Sequence, residues 1–178
     1  MPLSQIHHPN GDSFAHFSDA TISVFNLICV DDQREVLSAV LQDLQLLSQW
    51  LNIEDCESAD EVLELMDELD AEGEMIALII SDHVMPGKTG VELLTEISKD
   101  SRFIRARKVL LTGQTTHTDT INAINSAGID RYFEKPWQAE QLVECVRNLV
   151  TKYIFDMGLD YTQYHEHLDQ NVVFDRLR

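Results

Sequence analysis

Short apolar runs alternate along the chain with stretches in which apolar residues recur every three or four positions. Uniformly apolar runs of about four to eight residues are typical of strands that are buried on both faces of a sheet. We therefore predict β-strands over residues 24–30, 52–56, 76–82, 108–111 and 130–134.

The stretches between these runs have the spacing of amphipathic helices. We predict helices over about 34–50, after Ser58, from near Thr89, over about 118–127 and from about Gln138. Ser58 and Glu61 have the spacing of a capping box, in which two side chains accept hydrogen bonds at a helix start. Strands and helices that alternate in this way predict an α/β fold with a doubly wound, five-stranded parallel sheet.

Two segments flank this pattern. Residues 1–22 show little periodicity, and we expect a flexible N-terminal extension before a domain over residues 23–150. Residues 151–178 continue the apolar spacing of the last helix and predict a helical C-terminal extension. The apolar stripe consists of Val143, Val146, Val150, Tyr153, Met157, Tyr161, Tyr164 and Leu168.

The sheet is expected to end near Val150, so an exposed continuation of this stripe would be unfavourable. We expect the last helix to run past Thr151 and to pair with the same segment of a second copy, which would give a homodimer. Folding of the extension back onto its own domain and docking of another protein are the alternatives, because two heptads are little support for a coiled coil.

Charge and composition exclude several classes of protein. The net charge is −18, and residues 1–100 hold 21 acids but three basic residues, so the surface repels phosphate backbones and argues against nucleic-acid binding. No apolar run approaches the length of a membrane span. The three cysteines lack metal-ligand spacing and are expected in the core, so we expect a cytoplasmic protein with no membrane contact.

Polar residues follow four of the five predicted strands. Asp31 and Asp32 follow the first strand, Asp82 ends the third, Thr112 follows the fourth and Lys135 the fifth. The ends of parallel strands share one edge of a sheet, where open α/β sheets bind their ligands. Carboxylates about 4 Å apart repel by roughly 4 kcal/mol per pair at an effective dielectric of about 20, so the cluster needs a cation. Oxygen ligands favour Mg²⁺ over Zn²⁺.

The same residues suit a phosphoryl group. A carboxylate such as Asp82 can act as a nucleophile and form an aspartyl phosphate. Mg²⁺ and the ammonium of Lys135 would neutralise the phosphoryl oxygens, and the hydroxyl of Thr112 can donate a hydrogen bond to one of them.

Four segments then resemble the receiver domain of two-component response regulators over about residues 24–150. These segments are CVDD at 29–32, SDHVMPGKTG at 81–90, LTG at 111–113 and YFEKPW at 132–137. The resemblance implies a phosphoacceptor at Asp82 and a magnesium site made by Asp31, Asp32, Asp82 and the backbone carbonyl of Val84. It also implies a switch pair, Thr112 and Tyr132, and a phosphoryl-binding Lys135 whose peptide bond to Pro136 can be cis.

The resemblance further implies a histidine kinase or phosphotransfer protein as phosphodonor and a downstream protein partner. Such a domain is not an enzyme, beyond assisting its own phosphorylation and dephosphorylation. The 28 residues after position 150 are too few for a DNA-binding or cyclic-nucleotide domain with its own core. The chain is then either a single-domain regulator or the N-terminal piece of a longer one, with an output domain such as a cyclic-di-GMP phosphodiesterase.

Two other classes share part of this pattern. Haloacid-dehalogenase-like phosphatases use an aspartate nucleophile and Mg²⁺, but they carry it in an Asp-x-Asp motif after the first strand. Here the candidate nucleophile, Asp82, ends the third strand, and position 84 is Val rather than Asp. A flavodoxin-like cofactor binder has the same sheet order, but the acidic loop after the first strand is unsuited to the phosphate of FMN.

Overall fold

The computed structural model describes residues 24–113, 121 and 125–178. These residues form one parallel sheet of five strands, in the order β2-β1-β3-β4-β5. The strands are β1 Phe25–Val30, β2 Leu51–Cys56, β3 Met75–Asp82, β4 Arg107–Thr112 and β5 Arg131–Glu134. The predicted fold class is confirmed. The expected N-terminal extension over 1–22 and most of the helix predicted over 118–127 lie outside the described residues.

Five α-helices are described over their whole length. They are α1 Arg34–Leu44, α2 Ala59–Ala71, α3 Gly90–Lys99, α4 Ala139–Asp156 and α5 Gln170–Arg176. The first helix is shorter than predicted, because the backbone tightens into a 3₁₀-helix over Gln45–Gln49. Leu47 in this turn is still buried, so the apolar spacing is kept while the helix type changes. No helix of the described chain is long and apolar enough to span a bilayer.

Alternation of side chains along β1 divides the core into two layers. Leu27 packs in the layer that contains α1 and α4, and Ile28 packs in the layer of α2 and α3. Both side chains are fully buried, as expected for a central strand covered on its two faces. Because helices cover both faces of the central strands, the ends of these strands are where a ligand can reach the sheet.

The capping of α2 and α3 differs from the prediction in one respect. Ser58 accepts a hydrogen bond from the backbone N–H of Glu61, as expected, but the carboxylate of Glu61 accepts from the N–H of Glu57. The capping box predicted at Ser58 is therefore wrong in its second half. A complete box lies at the start of α3, where Thr89 and Glu92 each accept from the backbone of the other.

The C-terminal segment folds back onto its own domain. Helix α4 runs past Thr151, as predicted, but it ends at Asp156 and is followed by Gly158 with a positive φ of 66°. A 3₁₀-helix over Tyr161–Tyr164 and then α5 bring Tyr164 and Leu168 into the core layer of α1 and α4.

These stripe residues are covered, as expected, but by the chain itself and not by a second copy. The segment adopts the fold-back alternative, so its buried residues Tyr164 and Leu168 are not exposed for pairing with a second copy. Asp156 reinforces the arrangement, since it pairs with Arg107 of β4 and with Arg176 of α5, the latter at 2.9 Å.

Candidate functional site

Three carboxylates meet at the carboxyl edge of the sheet. β1 and β3 are neighbours with Val30 opposite Ser81, so Asp31 and Asp82 come next to each other directly after that pair. One ligand atom each of Asp31, Asp32 and Asp82 lies within 4.8 Å of the others. Asp31 and Asp82 are only 3% and 5% exposed, whereas Asp32 is exposed. The predicted carboxylate cluster is thus present in the structure.

Lys135 reaches this cluster from the far edge of the sheet. Its Nζ lies 2.7 Å from Oδ2 of Asp31 and 3.0 Å from Oδ1 of Asp82. Burial opposes the charged ammonium, but the hydrogen bonds and charges of the two carboxylates outweigh it and raise the pKa of Lys135. The lysine therefore stays protonated. The Lys135–Pro136 peptide is cis, as expected.

The electrostatics of Asp82 are set by opposing effects. Burial raises the pKa of its carboxyl above the ordinary value, and the charge of Asp31 acts in the same direction. The ammonium of Lys135 and the backbone N–H of His83 lower this pKa. A partly desolvated carboxylate with a cation at one oxygen is a suitable nucleophile for an electrophilic phosphorus atom.

The donor set fits a hard divalent cation. Carboxylate oxygens are the ligands that Mg²⁺ prefers, and an exposed Asp32 leaves one side of the cluster open for waters and an oxyanion. Asp31 is oriented by the N–H of Gln33, which donates to its Oδ1 at 2.8 Å. Val84, the fourth residue predicted for this site, lies in the loop after β3, and its carbonyl as a ligand stays a prediction.

The two switch residues lie on adjacent strands. Thr112 ends β4 and is buried, and its carbonyl accepts a hydrogen bond from the N–H of Lys135 at 2.9 Å. Tyr132 is in β5, partly buried against the core layer of α2 and α3. Burial, followed by the charge and hydrogen bond of Glu134, raises the pKa of Tyr132. Their positions suit a coupled pair, and the coupling itself stays a prediction.

Gly90 has a role that the sequence reasoning missed. A Cβ added to Gly90 would lie 1.9 Å from the carbonyl oxygen of Asp82. The backbone N–H of Gly90 donates to the carbonyl of His83 at 2.9 Å. The hydroxyl of Ser81 donates to the same Asp82 carbonyl at 2.8 Å. The first turn of α3 therefore packs directly on the backbone of Asp82. Gly90 was part of the motif, but the motif contains no signal for this contact.

Trp137 fixes the loop that carries Lys135. Its indole N–H donates to the carboxylate of Asp43 in α1 at 2.8 Å. The bond joins the loop after β5, which supplies Lys135, to α1, the helix that begins just after Asp31 and Asp32. Sequence reasoning placed Trp137 in the motif without a role, because its partner is 94 residues away.

Comparison with known proteins identifies the class. A sequence model of the response regulator receiver domain matches residues 27–147, well over half of the chain. The strand order and the carboxylate–lysine cluster agree with that match. The chain belongs to the response regulator receiver domain family, whose members are phosphoacceptor signalling domains.

Individual relatives differ in how much of them the chain covers. The chain is 32% identical over 124 residues to the hydrogenase transcriptional regulatory protein HoxA of Cupriavidus necator, which is 70% of this chain but 24% of HoxA. It is 28% identical over 118 residues to the chemotaxis protein CheY1 of Helicobacter pylori, which is 66% of this chain and 90% of CheY1. The chain thus spans about a quarter of the first relative and most of the second.

Solved structures show the same fold. A CheY-like receiver domain from Methanospirillum hungatei JF-1 has a TM-score of 0.62 and 24% identity, with 75% of this chain and 99% of that chain covered. The signal receiver domain of an HD domain-containing protein from Pseudomonas fluorescens Pf-5 has a TM-score of 0.62 and 26% identity, with 72% and 95% covered.

Proposed function

We propose that this chain is the phosphoacceptor of a two-component phosphorelay and that Asp82 receives the phosphoryl group. The donor is the phosphohistidine of a histidine kinase or of a phosphotransfer protein. One observation carries the proposal: the buried Asp82 carboxylate lies 3.0 Å from the Lys135 ammonium, within a cluster of three carboxylates at the open edge of the sheet.

In the proposed reaction an oxygen of Asp82 attacks phosphorus, and the bond between phosphorus and the histidine nitrogen breaks. The electron pair of that bond stays on the imidazole nitrogen, and the phosphoryl group ends as an acyl phosphate on Asp82. The ammonium of Lys135 lies close to the carboxylates of Asp31 and Asp82. It is therefore placed to bind a phosphoryl oxygen once the carboxylate of Asp82 has become an acyl phosphate. Mg²⁺ held by Asp31, Asp32, Asp82 and the Val84 carbonyl would neutralise the phosphoryl oxygens during transfer.

The output would be a change of surface. A phosphoryl group on Asp82 draws the Thr112 hydroxyl toward it, and the vacated space lets the Tyr132 ring turn inward. The face around β5 then changes its affinity for a downstream protein partner, since the new hydrogen bonds favour one of two arrangements. We expect this transfer to take place in the cytoplasm.

A second architecture is supported by the coverage of relatives. The chain matches 24% of HoxA and, at 29% identity over 130 residues, 52% of the response regulator Rre1 of Synechocystis. The same receiver can therefore act alone or as one domain of a longer regulator, including one with a signalling output domain such as a cyclic-di-GMP phosphodiesterase. The phosphoacceptor chemistry is the same in both cases.

Intact mass spectrometry tests the assignment. With acetyl phosphate and Mg²⁺, the wild-type chain should gain one hydroxylamine-labile phosphate, and the gain should vanish with EDTA. Asp82→Asn should gain none, whereas Asp60→Asn, at an exposed acid of α2, should behave as wild type. A labile phosphate of equal amount on Asp82→Asn would show that another residue is the acceptor. Steady turnover of a generic phosphate ester would instead favour the phosphatase alternative.

A further inference from the structure

An exposed ion pair lies at the same edge of the sheet as the carboxylate cluster. Arg34 is the first residue of α1, two positions after Asp32, and its guanidinium contacts the carboxylate of Glu57. Glu57 directly follows β2, the strand next to β1. The pair therefore joins the loops after two neighbouring strands, at the same edge of the sheet as Asp82. The side chains of Arg34 and Glu57 are 76% and 44% exposed.

The strong negative charge of the domain gives weight to the basic side chain of Arg34 at this edge of the sheet. Residues 1–100 carry 21 acids and only Arg34, Lys88 and Lys99 as basic residues, and the net charge of the chain is −18. A phosphodonor is itself an anion, so it approaches this edge against the field of the domain. Lys99 ends α3, and Lys88 is paired with Glu96. Among these three basic residues, Arg34 is thus the one that directly follows Asp31 and Asp32 along the chain.

The two members of the pair differ in the exposure of their side chains. Both are anchored at the backbone, Arg34 as the first residue of α1 and Glu57 by its N–H, which donates to the Glu61 carboxylate at 2.7 Å before the start of α2. The longer side chain of Arg34 is the more exposed of the two, at 76% against 44%. Exposed ion pairs contribute little to stability, so the guanidinium can exchange partners at small cost. The planar guanidinium can donate two hydrogen bonds at once to the oxygens of a phosphoryl group.

We propose that Arg34 binds the incoming phosphodonor, leaving Glu57 for the phosphoryl oxygens of the donor before transfer to Asp82. Glu57 acts as the resting partner that holds the guanidinium at this edge of the sheet. The ligand chemistry is a phosphoryl group with anionic oxygens, whether it arrives as an acyl phosphate or as a phosphoramidate such as phosphohistidine. The proposal rests on the proposed role of Asp82 as phosphoacceptor.

Phosphorylation rates with acetyl phosphate and with phosphoramidate, at saturating Mg²⁺ and low salt, test the proposal on the full chain. Arg34→Gln should lower the bimolecular rate constant about threefold to tenfold with both donors, because a charge-assisted contact to the phosphoryl oxygens is lost. Glu57→Gln should raise it about twofold, since it removes a competing and repelling carboxylate. The matched controls are Arg102→Gln and Asp70→Asn, which change the same charges in the ion pair between Arg102, after the end of α3, and Asp70 of α2.

Two further measurements separate donor binding from a structural role. Arg34→Lys should recover part of the rate, and the difference between Arg34→Gln and wild type should shrink at about 1 M salt, where charges are screened beyond about 3 Å. Thermal melting of Arg34→Gln should match that of Arg102→Gln. A rate for Arg34→Gln equal to that of Arg102→Gln at low salt overturns the proposal while phosphorylation of Asp82 stands. A loss that salt does not reduce assigns Arg34 a structural role and overturns it as well. Absence of phosphate on the wild-type chain overturns both this proposal and the proposed function.

Discussion

Tyr164→Ala tests whether the folded-back C-terminal segment stabilises the domain. Tyr164 is 4% exposed, and its ring centroid lies 4.9 Å from that of Phe25 and 6.5 Å from that of Trp50. Truncating a buried aromatic residue to alanine usually costs about 3–5 kcal/mol of stability. The segment can also detach locally instead of leaving a cavity, which limits the loss to its net docking energy.

The docking of the segment does not depend on Tyr164 alone. Leu168, Val172 and Val173 of the same segment are also buried and hold it on the domain. We therefore expect Tyr164→Ala to lower the free energy of unfolding by about 3 kcal/mol, the low end of the range for aromatic truncation.

Urea denaturation followed by circular dichroism measures this loss. The control is Phe174→Ala, in α5 of the same segment, because Phe174 is 60% exposed and should change stability by no more than about 0.5 kcal/mol. Equal midpoints for the two variants would refute the reasoning, since they would mean that the burial of Tyr164 contributes nothing. A smaller dependence on urea for Tyr164→Ala would show that its segment is already detached in the native state.

Three other predictions concern the site. Gly90→Ala should lower the free energy of unfolding measured in urea by about 1–3 kcal/mol and slow phosphorylation, since its Cβ would meet the Asp82 carbonyl oxygen at 1.9 Å. Gly113→Ala is the control that should stay near wild type, because its added Cβ would lie 4.0 Å from the Cβ of Lys135. Asp82→Asn should be more stable than wild type at pH 7, because burial raises the pKa of Asp82 and its ionised form is costly in the folded state. That gain in stability should disappear as the pH falls below the ordinary carboxyl range, because Asp82 is then protonated in both the folded and the unfolded chain. A gain that does not depend on pH would contradict burial of the ionised carboxylate as its cause. Thr112→Ala should still accept phosphate, but the NMR signals of Tyr132 should no longer respond to it; equal shifts in mutant and wild type would contradict the switch.

The strands and the site cluster could be predicted because each depends on short-range patterns. An apolar run that ends in a polar residue marks both the strand and its end, so the five strands were found within about two residues. Parallel strands place their ends at one edge, which brings Asp31, Asp82 and Lys135 together without further information.

Contacts between distant loops could not be predicted in the same way. The change to a 3₁₀-helix at Gln45 leaves the spacing of buried residues unchanged, so the pattern cannot distinguish it from a longer α-helix. The approach of Gly90 to Asp82 and the bond from Trp137 to Asp43 depend on how helices pack on the sheet. Each of these contacts involves a residue type that the motif specifies without indicating its partner.

The C-terminal segment shows most clearly what apolar spacing determines. The spacing correctly indicated that Tyr153, Tyr164 and Leu168 must be covered, but it carries no information on which surface covers them. Gly158 turns the chain just after the end of α4, and the six residues from there to Tyr164 can reach about 20 Å, enough for Tyr164 to contact Phe25 at the start of β1. Asp169 then binds Asn148 of α4 at 2.9 Å, so a protein that approaches this side of α4 meets the folded-back segment before the helix.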